Sequence, residues 1–365
     1  MRVLIIGAGL AGPCLAHGLL RHGHDVRLFE RDAGLDSRAQ GYRIHIGGDG
    51  AEALRRCLPA EAYEQAEATS CLTTHGVTLA GPGLREFHPL ELPPGAAGLT
   101  VDRLTLRRIM LRGLTGAVRY GAAFTRYSLP GDGTVRVHLA DGTTAEGDLL
   151  VATDGAHSGV RRQLLPDVPV SVLDGGLVYG RTPLTPEVRS LLPEPALGGF
   201  LGVSGGPGGH RLALAAHRFR RSPAEFGLPA AEDYVMWSVG AFPSALLSGS
   251  PAELLALASD ALAGWHPCLG ALIRLGDPRH VLPAAVHTST RPGPRPPTPV
   301  TLLGDAAHPM PPAGLSAGAA LHDAALLASH LTPGTPLPQA LRAYEEEMQT
   351  HGFAAVAASH RTWAS

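Results

Sequence analysis

Short apolar runs and helical repeats alternate at the start of the chain and again in two later places. Residues 2–6 form an apolar run rich in β-branched side chains, residues 13–21 carry apolar side chains at helical spacing, and residues 25–32 form a second strand-like run. Residues 149–153 and 300–303 repeat the arrangement, and each run leads through Gly and Asp into a helical pattern. Continuous apolar runs separated by helices are typical of a parallel sheet that is covered on both faces, so the pattern predicts an α/β fold.

The middle of the chain has a different pattern. Residues 118–148 alternate apolar and polar side chains around two Asp-Gly turns, which predicts antiparallel strands. Residues 167–285 contain the strand-like runs RLALAAHRF and DYVMWSVGAF and a helical segment at 251–264, so we expect a second sheet with helices on one face. Residues 337–358 are helical in pattern. The sequence therefore predicts an α/β domain, an α+β sheet domain and a helical tail.

Composition limits the classes of function. With 17% charged residues and a net charge of −2 over 365 residues, the chain lacks the basic surface of a nucleic-acid or anionic-membrane binder. It has no run of about 20 apolar residues, so no membrane span is expected. The four cysteines lie far apart without a C-x-x-C pair and are expected to be reduced thiols of a cytoplasmic protein. The 18 histidines include no H-E-x-x-H sequence, so no metal site is expected.

A glycine-rich turn follows the first strand directly. Gly7, Gly9 and Gly12 form a G-x-G-x-x-G sequence between strand and helix, and Glu30 ends the next strand. Gly7 allows the tight turn, Gly9 allows a pyrophosphate to approach the backbone, and Gly12 allows the helix to pack on the strand. The helix N-terminus offers N–H groups to phosphates, and Glu30 offers its carboxylate to ribose hydroxyls. This context favours FAD or NAD over NADP and argues against a signal peptide at the N-terminus.

Two later motifs place further ligand-binding chemistry at strand ends. Asp154 and Gly155 begin the sequence DGAHSGVR, and Gly304 and Asp305 begin the sequence GDAAHPMPP. Ligands of an open parallel sheet bind at the carboxyl ends of its strands, so the three motifs can converge on one extended cofactor. Taken alone, a Gly-Asp pair at a strand end also fits a helix cap before a loop.

The three motifs together resemble the single-component flavoprotein monooxygenases of the para-hydroxybenzoate hydroxylase type, which include polyketide-tailoring enzymes and tetracycline-inactivating hydroxylases. The segment VDRLTLRRIML at 101–111 strengthens the resemblance, because such proteins place there a helix whose arginine, here Arg103, lies against FAD. The resemblance implies FAD as cofactor and NAD(P)H as a transient co-substrate. It further implies that one oxygen atom of O2 is inserted into a small aromatic or polyketide-like substrate through a flavin hydroperoxide.

The resemblance also divides the chain into three parts. The FAD-binding domain is expected to be discontinuous and Rossmann-like, with the substrate domain as a second sheet. A Pro-rich connection at 291–299 returns the chain to the cofactor domain, no third domain is expected after the tail, and a monomer or homodimer is expected. The expected bounds are 1–75, 97–166 and 286–332 for the FAD-binding domain, 76–96 and 167–285 for the substrate domain, and 333–365 for the C-terminal helical tail.

The late motif, GDAAHPMPP at 304–312, carries the most specific roles that the resemblance implies. Asp305 is expected to accept a hydrogen bond from a ribityl hydroxyl of FAD, and the turn at Pro312 is expected to lie beside the isoalloxazine ring. The following run PPAGLSAGAALHDA is shorter than the family pattern and lacks its Asn, so Gly314 and Gly318 are expected to supply backbone N–H groups. The candidate cofactor-binding residues are Gly7, Gly9, Leu10, Ala11, Gly12, Glu30, Arg31, Arg103, Asp154, Gly155, Gly304, Asp305, Pro312, Gly314 and Gly318.

Candidates on the substrate side are fewer. The segment QGYRIHIG at 40–47 matches a family segment that passes the flavin ring, and alternation along a strand places Arg43 and His45 on one face, opposite the isoleucines. These two residues are the candidates for catalysis, and the alternative is a solvated polar strand face. His308 is expected to pack within its motif rather than to act in catalysis. The candidate contacts from the substrate domain are Tyr179, Arg181, His210 and His217.

Two other kinds of function stay open from the sequence. The same scaffold supports flavin-dependent reductases or dehydrogenases, whose products gain or lose two hydrogen atoms, as well as epoxidases. A flavin-binding protein without oxygenase activity is the other alternative, because the segment after Pro312 departs from the family pattern.

Overall fold

The computed structural model describes residues 1–37, 41–91 and 97–364 of the chain. Gln40 of the predicted flavin-facing segment, residues 92–96 of the predicted substrate domain and Ser365 lie outside the described residues. The strands, numbered in chain order, are β1 (Arg2–Ile6), β2 (Asp25–Phe29), β3 (Arg43–Ile46), β4 (Val77–Ala80), β5 (Phe87–Leu90), β6 (Leu99–Asp102), β7 (Val118–Arg119), β8 (Phe124–Ser128), β9 (Val135–Leu139), β10 (Thr144–Gly147), β11 (Leu149–Ala152), β12 (Ser171–Pro183), β13 (Phe200–Val203), β14 (Arg211–His217), β15 (Tyr234–Phe242), β16 (Leu282–Thr288) and β17 (Val300–Leu302).

Helices connect these strands and form the C-terminal tail. The tail helix predicted at 337–358 is present and extends to Ala364, whereas the helix predicted at 251–264 ends at Asp260. The helices are α1 (Ala11–Arg21), α2 (Gly48–Cys57), α3 (Ala60–Ala68), α4 (Arg103–Arg112), α5 (Gly159–Leu164), α6 (Pro186–Leu191), α7 (Glu194–Gly198), α8 (Pro251–Asp260), α9 (Pro267–Arg274), α10 (Ser316–His330) and α11 (Leu337–Ala364). Short 3-10 turns lie at Pro207–Gly209, Pro223–Phe226, Ser244–Ser248, Pro278–His280 and Gly304–Ala306.

A parallel sheet forms the centre of the first domain. Its strand order is β17-β11-β1-β2-β7, and each paired neighbour runs parallel. The antiparallel sheet β10-β9-β8 lies close to β1, since a Cβ on Gly147 would be 2.8 Å from the Leu4 side chain. Val3 to Ile6 and all of β11 are buried, because cover on both faces leaves no solvated side. The predicted α/β fold is confirmed.

The second sheet has seven strands in the order β16-β12-β15-β14-β13-β4-β5. One face packs on α8 and α9 around the fully buried Trp237. Alternation along β12, β15 and β14 places Tyr179, Arg181, Tyr234 and His217 on the opposite face. This face is a polar wall directed at the first domain, because Tyr234 reaches the end of β6 there.

The second sheet collects strands from three parts of the chain. β4 and β5 join it from within the segment 76–96, and β12 to β15 come from within 167–285. β16 pairs with β12 as well and runs to Thr288, past the expected boundary at residue 285.

The tail helix α11 belongs to the packing of the first domain. Tyr344 is fully buried and donates a hydrogen bond from its hydroxyl to the carbonyl oxygen of Leu302 at 2.9 Å. Thr301 donates to Glu345 at 2.8 Å. The helix therefore covers the edge strand β17, from which the late motif starts.

The described helices include none with the length and apolar character needed to cross a membrane. Within the same residues, His, Cys, Asp and Glu side chains form no group of three or more that could hold a metal ion. Cys14, Cys57, Cys71 and Cys268 are free thiols.

Candidate cofactor site

The glycine-rich turn packs against the start of the second motif, DGAHSGVR at 154–161, with almost no room for side chains. Gly7 has a φ of +107°, and a Cβ on it would lie 2.5 Å from the carbonyl oxygen of Thr153. A Cβ on Gly12 would lie 2.1 Å from the carbonyl oxygen of Gly7. Thr153 Oγ1 donates to that same carbonyl oxygen at 2.6 Å. The turn that begins α1 and the turn that ends β11 therefore lie side by side at the carboxyl edge of the sheet.

Glu30 lies just after β2 in a buried network. Its Oε2 accepts a hydrogen bond from Ala8 N at 2.9 Å and lies 3.2 Å from the Arg107 guanidinium. Arg107 also donates to the carbonyl oxygen of Ala8 at 2.6 Å. Burial lowers the pKa of Arg107, and the charge of Glu30 opposes this change. Arg107 thus joins α4 to the glycine-rich turn, a role that the sequence analysis missed although its i, i+4 spacing from Arg103 was an available signal.

Asp154 presents a buried carboxyl oxygen without a partner among the described residues. Its Oδ2 accepts a hydrogen bond from Gly159 N at 2.9 Å, whereas Oδ1 is buried and unpaired. Burial raises the pKa of this carboxyl group. A buried acceptor costs free energy until a ligand or a water molecule supplies a donor. Asp154 therefore fits a ligand that brings a hydroxyl or N–H group to this edge of the sheet.

The late motif reaches the same edge. Gly304 follows β17 with a φ of +59°, and a Cβ on it would lie 4.0 Å from the Ala11 side chain at the start of α1. Asp305 Oδ1 accepts a hydrogen bond at 2.6 Å from the serine hydroxyl that begins α10. The buried Arg161 guanidinium of α5 donates to the carbonyl oxygen of Ala307 at 2.5 Å, so the second motif holds the third. The three motifs converge at one edge of the sheet.

Two helices begin at this edge without a side-chain cap. The N-cap residues Leu10 of α1 and Leu315 of α10 make no capping hydrogen bond, whereas Asp102 caps α4 and Ser158 caps α5. An uncapped N-terminus leaves N–H groups and the positive end of the helix dipole to an anion. α1 and α10 can therefore each face a phosphate or another electron-rich group.

The remaining cofactor candidates lie around the same helix ends. Gly314 has a φ of +81° and open space around the position of a Cβ, and Gly318 lies in the first turn of α10. Gly155 has a φ of +78°. Arg31 and Pro312 are exposed. Glycine backbone, uncapped helix ends and an unpaired buried carboxyl oxygen together fit an extended dinucleotide such as FAD.

Arginine and tyrosine side chains bridge the two domains beside the glycine-rich turn. The Arg103 guanidinium lies 5.7 Å from the centroid of the Tyr42 ring and 3.9 Å from the position that a Cβ on Gly9 would occupy. The Tyr42 ring stacks on Tyr179 of β12, with centroids 6.2 Å apart. Burial raises the pKa of Tyr179, so its phenol stays protonated. The predicted cofactor residue Arg103 and the predicted substrate contact Tyr179 thus share one neighbour.

A second buried polar cluster joins the polar wall of the seven-stranded sheet to the first domain. Tyr234 donates from its hydroxyl to Asp102 Oδ2 at 2.9 Å. The Tyr234 ring stacks on His217, with centroids 5.3 Å apart, and lies 5.1 Å from the Arg181 guanidinium. His217 is fully buried, neither ring nitrogen has a partner among the described residues, and burial lowers its pKa to about 4. Asp102 and Tyr234 were not sequence candidates: Asp102 precedes Arg103 in the segment VDRLTLRRIML, where only the arginine was assigned a role, and Tyr234 belongs to no recognised motif.

The two candidates for catalysis differ in burial. Arg43 is buried, its Nε has no partner in the described part of the chain, and it lies opposite Asp102 in the two-stranded ribbon β3-β6. His45 is exposed, and its Nδ1 lies 3.1 Å from Thr100 Oγ1. Because Asp102 accepts a hydrogen bond from Tyr234, the second sheet covers the Arg43 end of the ribbon. The His45 end of the ribbon stays exposed.

His210 lies away from the other substrate-domain candidates. Its Nδ1 lies 3.1 Å from the carbonyl oxygen of Gly240, and its ring contacts Phe242. His210 precedes β14 and His217 ends it. A strand of this length spans about 20 Å, so the structure does not bring the two histidines together.

Comparison with known proteins relates this geometry to characterised sequences. Residues 5–58 match the NAD(P)-binding Rossmann-like domain family. The chain is 34% identical, over 89% of its length, to the dual O-methyltransferase/FAD-dependent monooxygenase elcB of Phaeosphaeria nodorum, and it spans 39% of that protein. It is 33% identical, over 94% of its length, to a 3-amino-4-hydroxybenzoate 2-monooxygenase of Streptomyces platensis, and it spans 83% of that enzyme.

The solved structures give the same relationship. A structure from Photorhabdus luminescens subsp. laumondii, whose description names an FAD containing monooxygenase, matches with a TM-score of 0.87 at 30% identity over 99% of this chain and 97% of the other. The chain thus spans less than half of the first fungal relatives and nearly all of this bacterial one. The resemblance and the expectation of FAD as cofactor are confirmed. The chain belongs to the family of FAD-dependent monooxygenases.

Proposed function

We propose that this protein is an NAD(P)H-driven, FAD-dependent monooxygenase that inserts one oxygen atom of O2 into a small aromatic or polyketide-like molecule. The observation that carries the proposal is the convergence of three motifs at the carboxyl edge of the parallel sheet, opposite the polar wall of a second sheet. Bound FAD supplies the redox and oxygen chemistry, and the chain supplies binding, orientation and exclusion of water.

The residues proposed to hold FAD follow the order of the cofactor. The N-terminus of α1 receives the pyrophosphate, because Gly7, Gly9 and Gly12 leave the backbone bare there. Glu30 accepts hydrogen bonds from the adenosine ribose. Asp305 accepts a hydrogen bond from the ribityl chain, and the uncapped N-terminus of α10 faces the electron-rich end of the isoalloxazine.

The polar wall of the second sheet is the proposed substrate side. Arg181 and the buried Arg43 bring positive charge to the junction of the two domains, and the Asp102 carboxylate lies between their strands. An aromatic substrate with an acidic group matches this charge, as does the hydroxybenzoate in the name of the Streptomyces relative. The half-buried, protonated Tyr179 supplies a hydrogen-bonding group, whereas His217 is fully buried and stacks on Tyr234. His45 is exposed and is proposed to meet the flavin side of the ribbon rather than this wall.

Product analysis under labelled oxygen tests the proposal. Purified protein loaded with FAD receives NADH or NADPH, oxygen-18 gas and a panel of phenols and hydroxybenzoates. We expect at least one aromatic to accelerate NAD(P)H oxidation and to gain one oxygen-18 atom. A product changed by two hydrogen atoms instead identifies a reductase or dehydrogenase. If no aromatic accelerates NAD(P)H oxidation, the protein is a flavin-binding protein without oxygenase activity.

The free thiols fit the proposed cytoplasmic location.

A further inference from the structure

A buried carboxylate lies directly beneath the turn that carries Asp305. Asp323 of α10 is fully buried, and its Oδ2 accepts hydrogen bonds from Gly304 N at 2.7 Å and from His308 Nε2 at 2.7 Å. Its Oδ1 accepts a hydrogen bond from His351 Nε2 of α11 at 2.6 Å. A carboxylate is an acceptor toward these groups, so both histidines donate to it. One buried side chain therefore connects the late motif to both C-terminal helices.

The two histidines make this burial possible. Burial alone would raise the pKa of Asp323, but the charge and hydrogen bonds of His308 and His351 outweigh it and lower the pKa to about 2. Burial alone would lower the pKa of His308, but the charge and hydrogen bond of Asp323, with smaller contributions from Asp305 and the backbone, together outweigh it and raise that pKa. A buried carboxylate that loses a donor either binds a proton or rotates toward another donor. Loss of His351 therefore disturbs the hydrogen bond to Gly304.

The packing leaves little freedom around this cluster. A Cβ on Gly352 would lie 2.4 Å from the His308 ring, so α11 presses directly on the late motif. The His351 ring also meets His322 of α10 edge to face, with centroids 4.5 Å apart. Gly304 holds a left-handed backbone conformation, and its N–H bond to Asp323 fixes the direction in which the chain continues to the next residue. That next residue is Asp305.

We propose that His351 is a positioning residue for FAD: through Asp323 it holds the Gly304 N–H and so directs Asp305 toward the cofactor. The tail helix α11 then acts on the cofactor site through Asp323. This inference rests on the proposed role of Asp305.

FAD titration of apoprotein variants tests the proposal. His351→Leu removes the donor to Asp323 and is expected to weaken FAD binding about tenfold, the effect of losing one hydrogen bond to a charged group. His351→Gln keeps an amide N–H at the position of Nε2 and is expected to restore most of the affinity. The dissociation constant is measured by quenching of FAD fluorescence, and the visible band of the bound flavin is recorded in parallel.

A matched control is available in the same pair of helices. His330 of α10 lies 3.0 Å from Glu347 of α11, so it also joins these helices through a histidine and a carboxylate, but at the exposed end away from the late motif. His330→Leu should leave FAD affinity unchanged. Equal weakening by His330→Leu would mean that helix packing in general, not the contact to Asp323, sets the affinity, and this would overturn the proposal.

Two further variants complete the design. Native affinity in His351→Leu, or failure of His351→Gln to recover affinity, overturns the positioning role. If His351→Leu does not fold, His351→Asn takes its place, since its shorter amide does not reach Asp323, and affinity equal to that of His351→Gln then overturns the proposal. Asp305→Ala is measured separately: unchanged affinity there removes the proposed role of Asp305, whereas weakened affinity there with a native His351→Leu removes only the role of His351.

Discussion

Replacement of Arg107 by Met tests whether the buried ion pair behind the glycine-rich turn stabilises the first domain. The Arg107 side chain is 4% exposed, and the change removes its contacts to Glu30, Ala8 and Leu35. Glu30 keeps hydrogen bonds from the backbone N–H groups of Ala8 and Asp32. Removal of one partner of a buried ion pair typically costs about 3–5 kcal/mol, because the other charge stays buried. The two remaining N–H donors place the expected loss in unfolding free energy at the lower end, about 3 kcal/mol.

The neighbouring residue in α4 supplies the control. Arg108 pairs at 2.5 Å with Asp36, whose side chain is 69% exposed, and such surface pairs contribute about 0–1 kcal/mol. Urea unfolding of the apoprotein variants Arg107→Met and Arg108→Met, followed by circular dichroism, measures the loss of unfolding free energy in each. The double variant Arg107→Met, Glu30→Gln should recover part of the loss, since it also removes the unpaired charge. Equal losses in the two single variants, or a loss below about 1 kcal/mol for Arg107→Met, would refute the reasoning.

Two further predictions concern the turn and the buried histidine. Gly12→Ala should lose bound FAD, because its Cβ would meet the carbonyl oxygen of Gly7 at 2.1 Å, whereas Gly116→Ala, which has open space, should keep it. The flavin-to-protein ratio after desalting measures this, and full occupancy in Gly12→Ala would contradict the assignment of the pyrophosphate to the glycine-rich turn. His217 has a folded pKa lowered to about 4 by burial, below the usual value of about 6.5, so the unfolded chain binds its proton first as the pH falls. Stability should therefore drop by up to about 3 kcal/mol between pH 6.5 and pH 4 in the parent. Urea unfolding at pH 7.5 and pH 5 should show a smaller loss of unfolding free energy in His217→Phe than in the parent or in the variant of an exposed histidine, His22→Gln. Equal losses in all three proteins would count against the lowered pKa of His217.

The features that the sequence predicts well are those that depend on local backbone. Parallel strands buried on both faces need continuous apolar runs, which is why the runs around Val3 and Leu149 could be recognised as strands. Gly7 was recognisable because a φ of +107° and contact with a neighbouring backbone exclude other residues. Such requirements bear on one residue at a time and leave a direct mark in the sequence.

Side-chain partnerships in the site carry no comparable mark. Glu30 and Arg107 are 77 positions apart, and Asp323 and His351 are 28 apart. They meet because α4 packs on α1, and because α11 packs on α10 and β17, at places that the whole fold determines. The shortened segment after Pro312 likewise departs from the family pattern, yet α10 still begins beside α1 with an uncapped N-terminus.

The sequence alone determined three features of this protein: strand–turn–helix units, a bare glycine backbone for a dinucleotide, and an acidic residue at the end of each of three strands. These features follow from local backbone conformation. Tertiary structure alone decided that Arg43 is buried while His45, on the same strand face, is exposed. It likewise decided that a tail helix reaches the late motif through His351. The physical reason is that burial and pairing depend on what a distant segment brings to a side chain, and that is settled only when the two sheets and the C-terminal helices pack together.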